Sequence, residues 1–174
     1  MIEAQDAVLV EKTDVGRFQV QVHTGDHVFL ADEPVSFGGL STGPNPFDLI
    51  CAALGSCTVM TMRLYAERKG WSLDGLGVRV THRRGSPGGR DRFERVLHLG
   101  DVTAEQRERL VFIAERCPVH VLLEGGADVT TAVAETALTG GIAQGLHAQV
   151  IEALCDECTG SAPRPGFQAS APPA

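Results

Sequence analysis

Asn45-Pro46-Phe47-Asp48-Leu49-Ile50-Cys51-Ala52-Ala53-Leu54-Gly55-Ser56-Cys57-Thr58-Val59-Met60-Thr61-Met62 decides how the rest of the chain must be arranged. Asn45 is a good helix cap, and proline is favoured at the first helical position, where its missing N–H costs nothing. The helix that starts there can run to about Lys69, where Gly70 is a ready terminator. Such a helix is about 35 Å long, roughly the width of a domain of this size. Its first four turns are apolar nearly all round, so it must be buried on more than one side. The nearly apolar run Leu49 to Met62 is broken by Gly, Ser and Thr and is too short to span a bilayer.

Strands are expected on both sides of this central helix. Upstream, Phe18-Gln19-Val20-Gln21-Val22-His23 alternates at period two, and Thr24-Gly25-Asp26 turns it into a second strand, His27 to Ala31. Pro34 to Pro46, rich in Gly, Ser and Pro, is a loop. Downstream, Gly77 to His82 and Phe93 to Leu99 alternate as two more strands around a Gly/Arg-rich loop. Thr103-Ala104-Glu105-Gln106 spells a capping box for a second helix reaching about Arg116. Pro118 ends that helix and leaves Cys117 at its C-terminus, a place where a side chain often emerges at a surface or cleft. Ala127 to Val133 has the Val and Thr content of a last strand, and Gly140 to Leu154 suits a short helix. The order predicts an α+β fold rather than alternating βαβ units. Residues 1–134 form the domain, 135–158 an extension with helical character, and 159–174 a low-complexity, disordered tail.

Composition narrows the function. With 174 residues the chain buries roughly 70% of its unfolded surface and needs no disulfide or metal staple. Fifteen basic against twenty-two acidic residues give −7, the wrong sign for a general nucleic-acid binder. No basic and apolar leader precedes the first strand, so neither secretion nor a membrane is expected. Five cysteines are an odd number, which fits a cytoplasmic protein with reactive thiols better than a secreted disulfide framework.

Taken singly, each thiol has an unremarkable reading. Cys51 and Cys57 lie about 120° apart around the helix, so they cannot act as one pair. Cys51 reads as core, and Cys57 alone reads as a small buried hydrophobe. Cys57 and Cys117 together make a candidate dithiol, in which one sulfur attacks and the other resolves, although sixty residues of separation fix no distance. Cys155-Asp156-Glu157-Cys158 is a lone CxxC, short of the ligands zinc requires, so no metal site is expected. The six arginines from Arg79 to Arg95 read as a solvated hairpin, or as a docking face for an acidic carrier domain. His120 reads as a thiolate-tuning group or a plain surface histidine.

Gly38-Gly39, Gly43-Pro44-Asn45-Pro46, Asp48-Leu49 and Ala52-Ala53-Leu54-Gly55-Ser56-Cys57-Thr58 resemble the first signature of the OsmC/Ohr family. Arg116-Cys117-Pro118-Val119-His120 resembles the second, in the branch that carries Cys-Pro-Val-His. The likeness spans about Gly16 to Thr131. It implies an intertwined homodimer with antiparallel strands around a long central helix, and active sites at the interface. It also implies a thiol-dependent peroxidase acting on organic hydroperoxides, with Cys57 attacking, Cys117 resolving, and an external dithiol such as a lipoyl group reducing the disulfide. No bound cofactor is implied. Arg17 matches the activating cation of the family, whose guanidinium would stabilise the thiolate. The hydroperoxidases place a glutamate after Asn-Pro; here that position is Phe47, followed by Asp48. Asp48 is either a support for Arg17 or a first-turn acid complementing the helix dipole. Loss of the glutamate favours the alternative of a non-enzymatic binding or redox-sensing module with an apolar interface pocket.

Overall fold

Antiparallel strands and one dominant helix make up the computed structural model, which describes residues 7–139. Helix α1 (Pro46–Lys69) forms where its caps place it. The Asn45 side chain accepts from the amides of Phe47 and Asp48 at 2.9 and 3.0 Å. Asp48 returns the bond, its carboxylate accepting from the Asn45 backbone amide at 3.3 Å, which closes a capping box. Gly70 ends the helix in the left-handed conformation, φ 67°, which costs a glycine little.

Ahead of α1 lies a three-stranded antiparallel sheet, β1 (Leu9–Lys12), β2 (Val20–Thr24) and β3 (His27–Ala31), in that order. The hairpin β2–β3 forms as expected, Thr24 pairing with His27 across the turn, whereas β1 is an additional edge strand that the residue pattern did not announce. Chain returns from this sheet to α1 through a loop organised by Asp32. That buried carboxylate accepts from the amides of Glu33, Leu40 and Thr42 and from the Thr42 hydroxyl. Burial pulls its pKa upward, but the bonds from Thr42, Leu40 and Glu33 outweigh that and hold it below the usual carboxylate value. Gly43 passes so close to the Leu30 carbonyl that a Cβ there would collide with backbone, so the loop demands glycine at this point.

Beyond α1, β4 (Gly77–Arg83) and β5 (Arg92–His98) form a separate antiparallel hairpin, in register from Gly77 opposite His98 to Arg83 opposite Arg92. Helix α2 (Ala104–Ala114) begins at the Thr103 capping box, as expected. A third helix, α3 (Pro118–Gly125), follows almost at once. The core sits where α1 packs against β4, α2 and α3. By length and composition α1 could also cross a membrane, its whole 24 residues exceeding the apolar run that the sequence displays. Its contacts with a strand and two helices make it the axis of the core instead.

Two expectations fail here. Pro118 does not leave Cys117 dangling at a helix end; it occupies the first position of α3, with Cys117 as its N-cap. Cys117 consequently has no exposure at all, rather than emerging at a surface. The segment 127–133 is not a strand: Val129 and Val133 are almost fully exposed and pair with no neighbour in the described chain. β-propensity supplies suitability for a sheet, but only a partner strand supplies the hydrogen bonds. The expected helix over 140–154, Cys155, Cys158 and the tail from 159 lie outside the described residues.

Candidate functional site: a buried dithiol under an arginine

Leu54, Cys57 and Cys117 form a buried cluster, covered by Val80, Phe93, Val119 and Leu123 from the surrounding elements. Cys57 comes from the middle of α1 and Cys117 from the α2–α3 junction, and their side chains meet in this cluster. Both are free thiols. The amide of Val119 donates to Cys57 Sγ at 3.5 Å. Thr58 Oγ1 lies 3.5 Å from Cys117 Sγ.

The cation in this cluster is Arg95, from the middle of β5. Its Nη1 donates to Thr58 Oγ1 at 2.7 Å and to the Ala114 carbonyl at 3.0 Å, and lies 3.8 Å from Cys117 Sγ. Its other arm, Nη2, meets His120 Nδ1 at 3.4 Å, and His120 Nε2 reaches Glu124 Oε1 at 3.3 Å. That chain is satisfied by the His120 tautomer that carries its hydrogen on Nε2, donating to Glu124 and accepting from Arg95. Arg90 Nη2 clasps the far end of α3, donating to the carbonyls of Leu123 and Glu124 at 3.3 and 2.5 Å.

Placed this way, the thiols separate electrostatically. The hydrogen bond from Cys57, resisted by burial and assisted by Thr58, the His120 amide and the Arg95 charge, draws the Cys117 pKa down to about 5. Cys57 moves the opposite way: donating to Cys117 and being buried hold its thiol protonated. A thiolate beside a thiol is the pair from which an oxidant can make a disulfide.

Of the residues singled out from sequence, the fold brings Cys57, Cys117 and His120 together. Arg17 is exposed, with its guanidinium 5.1 Å from the Phe18 ring. Asp48 is exposed and spends its carboxylate on the α1 capping box. Phe47, at the position of the family's glutamate, stacks on the His82 ring at 4.4 Å, and His82 is paired with Asp91 at 2.8 Å. Cys51 is only partly buried, and with Met60, Arg63 and Val80 it lines an open groove of ≈ 630 Å³ on another side of α1. The core reading of Cys51 is corrected accordingly. Burial, with Asp48 nearby, raises its pKa.

Arg95 was read only as part of a solvated basic run. The signal that could have found it is parity. In β5, Phe93, Arg95 and Leu97 share the inward face while Arg92, Glu94, Val96 and His98 face out. An arginine on the core side of a strand needs a polar partner indoors.

Comparisons with known proteins agree with this architecture. Residues 38–132, more than half the chain, match the family of OsmC-like proteins. No curated protein matches the sequence. Among solved structures, an OsmC-like protein of Mycoplasma pneumoniae superposes with a TM-score of 0.56 at 19% identity, covering 71% of this chain and 90% of that one. An organic hydroperoxide resistance protein of Legionella pneumophila gives 0.54 at 20% identity, covering 72% and 93%. The organic hydroperoxide resistance protein OhrB of Bacillus subtilis gives 0.52 at 20% identity, covering 71% and 93%. With the paired cysteine motifs on α1 and α3 and this fold around them, the chain belongs to the OsmC-like family.

Proposed function

We propose that this protein reduces organic hydroperoxides to alcohols with the Cys57–Cys117 dithiol. The observation that carries the reading is the meeting of two thiols from separate elements, one of them beside a partly buried guanidinium. The net reaction converts a dithiol and a hydroperoxide into a disulfide, an alcohol and water. An external dithiol, a lipoyl group by analogy with the family, then restores the thiols by exchange. No resident metal or cofactor takes part. The apolar side chains packed around the sulfurs, Leu54, Val80, Phe93, Val119 and Leu123, favour an apolar hydroperoxide over hydrogen peroxide. A reducing cytoplasm is the compartment in which the resting dithiol would persist.

The working unit is proposed to be a homodimer. Val35, Phe37, Leu40 and Phe47 are exposed around the loop that leads into α1, an apolar surface suited to a second copy. Arg17, exposed beside Phe18, and Asp48, held in the α1 capping box, would serve the site from across that interface. Light scattering of the full chain tests the assembly; a monomer excludes any contribution of Arg17 in trans.

The test of function is a coupled assay with cumene hydroperoxide and dihydrolipoamide. Turnover that is lost in Cys57→Ser and in Cys117→Ser, with a Cys57–Cys117 disulfide seen by mass spectrometry, supports the peroxidase. A second reading, a redox-sensing or binding module, draws on the burial of both sulfurs, 1% and 0% exposed, and on Phe47 in place of the glutamate. Stabilisation by an apolar ligand without turnover would favour it.

A further inference from the structure

The two thiols are held in place by different means. Cys57 lies inside α1, where helical bonding on both sides fixes its backbone and its carbonyl also accepts from Thr61 Oγ1 at 2.7 Å. Cys117 lies between two helices. Pro118 has no amide hydrogen to give, and as N-cap of α3 Cys117 makes no side-chain capping bond. Its backbone has one bond on each side: the Cys117 amide donates to the Ala114 carbonyl at 3.3 Å, and its carbonyl accepts from the Val121 amide at 3.1 Å. The Val119 amide adds a link to Cys57 Sγ at 3.5 Å, but that sulfur is one of the atoms that must change. The angle between α2 and α3, and with it the place of the Cys117 sulfur, is therefore left to be set from outside.

Arg95 supplies that hold. Its guanidinium enters from β5 and touches all three helices around Cys117. Nη1 donates to Thr58 Oγ1 of α1 at 2.7 Å and to the Ala114 carbonyl at the end of α2 at 3.0 Å. Nη2 meets His120 Nδ1 of α3 at 3.4 Å. The Ala114 oxygen is the one that also accepts the Cys117 amide, and Thr58 Oγ1 lies 3.5 Å from Cys117 Sγ. With the Thr58 hydrogen on the Leu54 carbonyl at 2.7 Å, the Thr58 oxygen is left to accept. Nη1 spends both its hydrogens on oxygen, so its 3.8 Å approach to Cys117 Sγ is a contact rather than a third bond. Only a planar fork can address α1 and α2 with one nitrogen and α3 with the other.

We infer that Arg95 is a positioning residue for the disulfide step: it ties α1, α2 and α3 together around Cys117 and keeps that sulfur within reach of Cys57. The chemistry rests on the hydroperoxide reading above, with Cys57 attacking and Cys117 resolving as the family resemblance implies. The placement of Cys117 does not rest on it, and is independent of which sulfur carries the proton. In the first step Cys57, its proton passed to Cys117, attacks the distal oxygen of the hydroperoxide. The O–O bond breaks, Cys57 becomes a sulfenic acid, and the departing alkoxide takes the Cys117 proton to leave as the alcohol. The Cys117 sulfur then attacks the Cys57 sulfur, the S–O bond breaks and hydroxide departs. Two electrons pass from the dithiol to the peroxide, and one negative charge is carried throughout. A resolving sulfur out of place would leave the sulfenic acid to a second hydroperoxide, which takes it on to sulfinic acid.

The equilibrium between dithiol and disulfide in glutathione buffers, read by mass spectrometry after alkylation, tests the placement without any hydroperoxide. In the full chain Arg95→Met should shift it toward the dithiol by about tenfold. Arg95→Lys, which returns one charged donor to Thr58 and Ala114, should recover part of that shift. Arg90→Met opens the clasp at the far end of α3 and should leave the equilibrium within about twofold. No shift in Arg95→Met overturns the inference. So does a shift toward the disulfide, the sign expected of a cation that only stabilises a thiolate, and so does an equal shift in Arg90→Met. Should Arg95→Met fail to fold, His120→Ala frees the Nη2 arm alone and should move the equilibrium the same way by about threefold. An unmoved equilibrium in that variant overturns the inference equally.

Sulfenic acid trapping then separates resolution from attack. After one equivalent of cumene hydroperoxide with dimedone present, the full chain should end as the Cys57–Cys117 disulfide. Arg95→Met should instead carry the dimedone adduct on Cys57, as Cys117→Ser does. A disulfide formed as completely in Arg95→Met as in the full chain overturns the inference. So does an Arg95→Met chain whose Cys57 is no longer oxidised, since Arg95 would then serve the attack. Where the hydroperoxide oxidises neither chain but the glutathione equilibrium moves as described, the hydroperoxide reading fails and the placement stands.

Discussion

Helix α1 runs through two cores that differ in kind. Towards its C-terminal half, Met62 and Tyr65 pack with Leu99, Leu110, Ile113 and Ala114 in a cluster that is apolar apart from the Tyr65 hydroxyl. Around its middle, Leu54 and Cys57 pack with Cys117, but here a threonine, a guanidinium and a histidine reach into the packing. The first core is held by burial and shape, so its residues are interchangeable within limits of volume. In the second, each polar atom must find its partner, and loss of any one leaves another unsatisfied. Stability is therefore expected to reside mainly in the first and reactivity in the second.

The largest effect that would test this division is Leu110→Ala. Leu110 is fully buried, and truncation should cost roughly 3 kcal/mol in urea denaturation. Thiolate formation at Cys117, followed by absorbance at 240 nm, should keep its midpoint. A coincident shift of that midpoint would show the two cores to be one mechanical unit. Thr58→Val reverses the emphasis. It keeps volume but removes the acceptor of Arg95 and the hydroxyl beside Cys117, costing about 1–2 kcal/mol. Its distinguishing mark is a rise of the thiolate midpoint by roughly 0.7 of a pH unit, the equivalent of one hydrogen bond of about 1 kcal/mol.

Within the apolar core, Tyr65→Phe is a smaller probe. The Tyr65 hydroxyl accepts from Arg109 Nε at 2.8 Å, while the Arg109 guanidinium also lies 5.4 Å from the ring. Removing the hydroxyl keeps the ring contact and should cost about 1 kcal/mol, with no change in thiol chemistry.

How much of this was legible follows from the same contrast. Local signals announced the apolar frame: Asn45-Pro46 and Gly70 bracket α1, Thr103 to Gln106 starts α2, and period-two runs mark β2 to β5. The edge strand β1 carries no alternation strong enough to read, since its sequence Leu-Val-Glu-Lys leaves the last three residues exposed. Helix α3 was hidden by Pro118, because one residue both stops the helix before it and opens the next. The cysteines were readable as motifs, but their environment was not. It depends on Arg95, thirty-seven residues from Thr58 in sequence. Period two puts Arg95 on the inward face of β5, but which groups it meets there is set by how the hairpin packs on α1.

The smallest expected effect lies at the mouth of α1, where the departure from the family pattern sits. Phe47 is 48% exposed and its ring lies flat on His82, with an interplanar angle of 4°. His82 in turn contacts Phe93, one of the residues covering the dithiol. Phe47→Leu keeps an apolar side chain but loses the stack, which should cost about 0.5 kcal/mol. If Phe47 only closes the helix entrance, the thiolate midpoint and the rate of disulfide formation with cumene hydroperoxide should both be unaltered. A rate that changes while the midpoint holds would instead assign the Phe47–His82–Phe93 stack to substrate entry. The reactive core would then extend, through aromatic contact alone, to the entrance of α1.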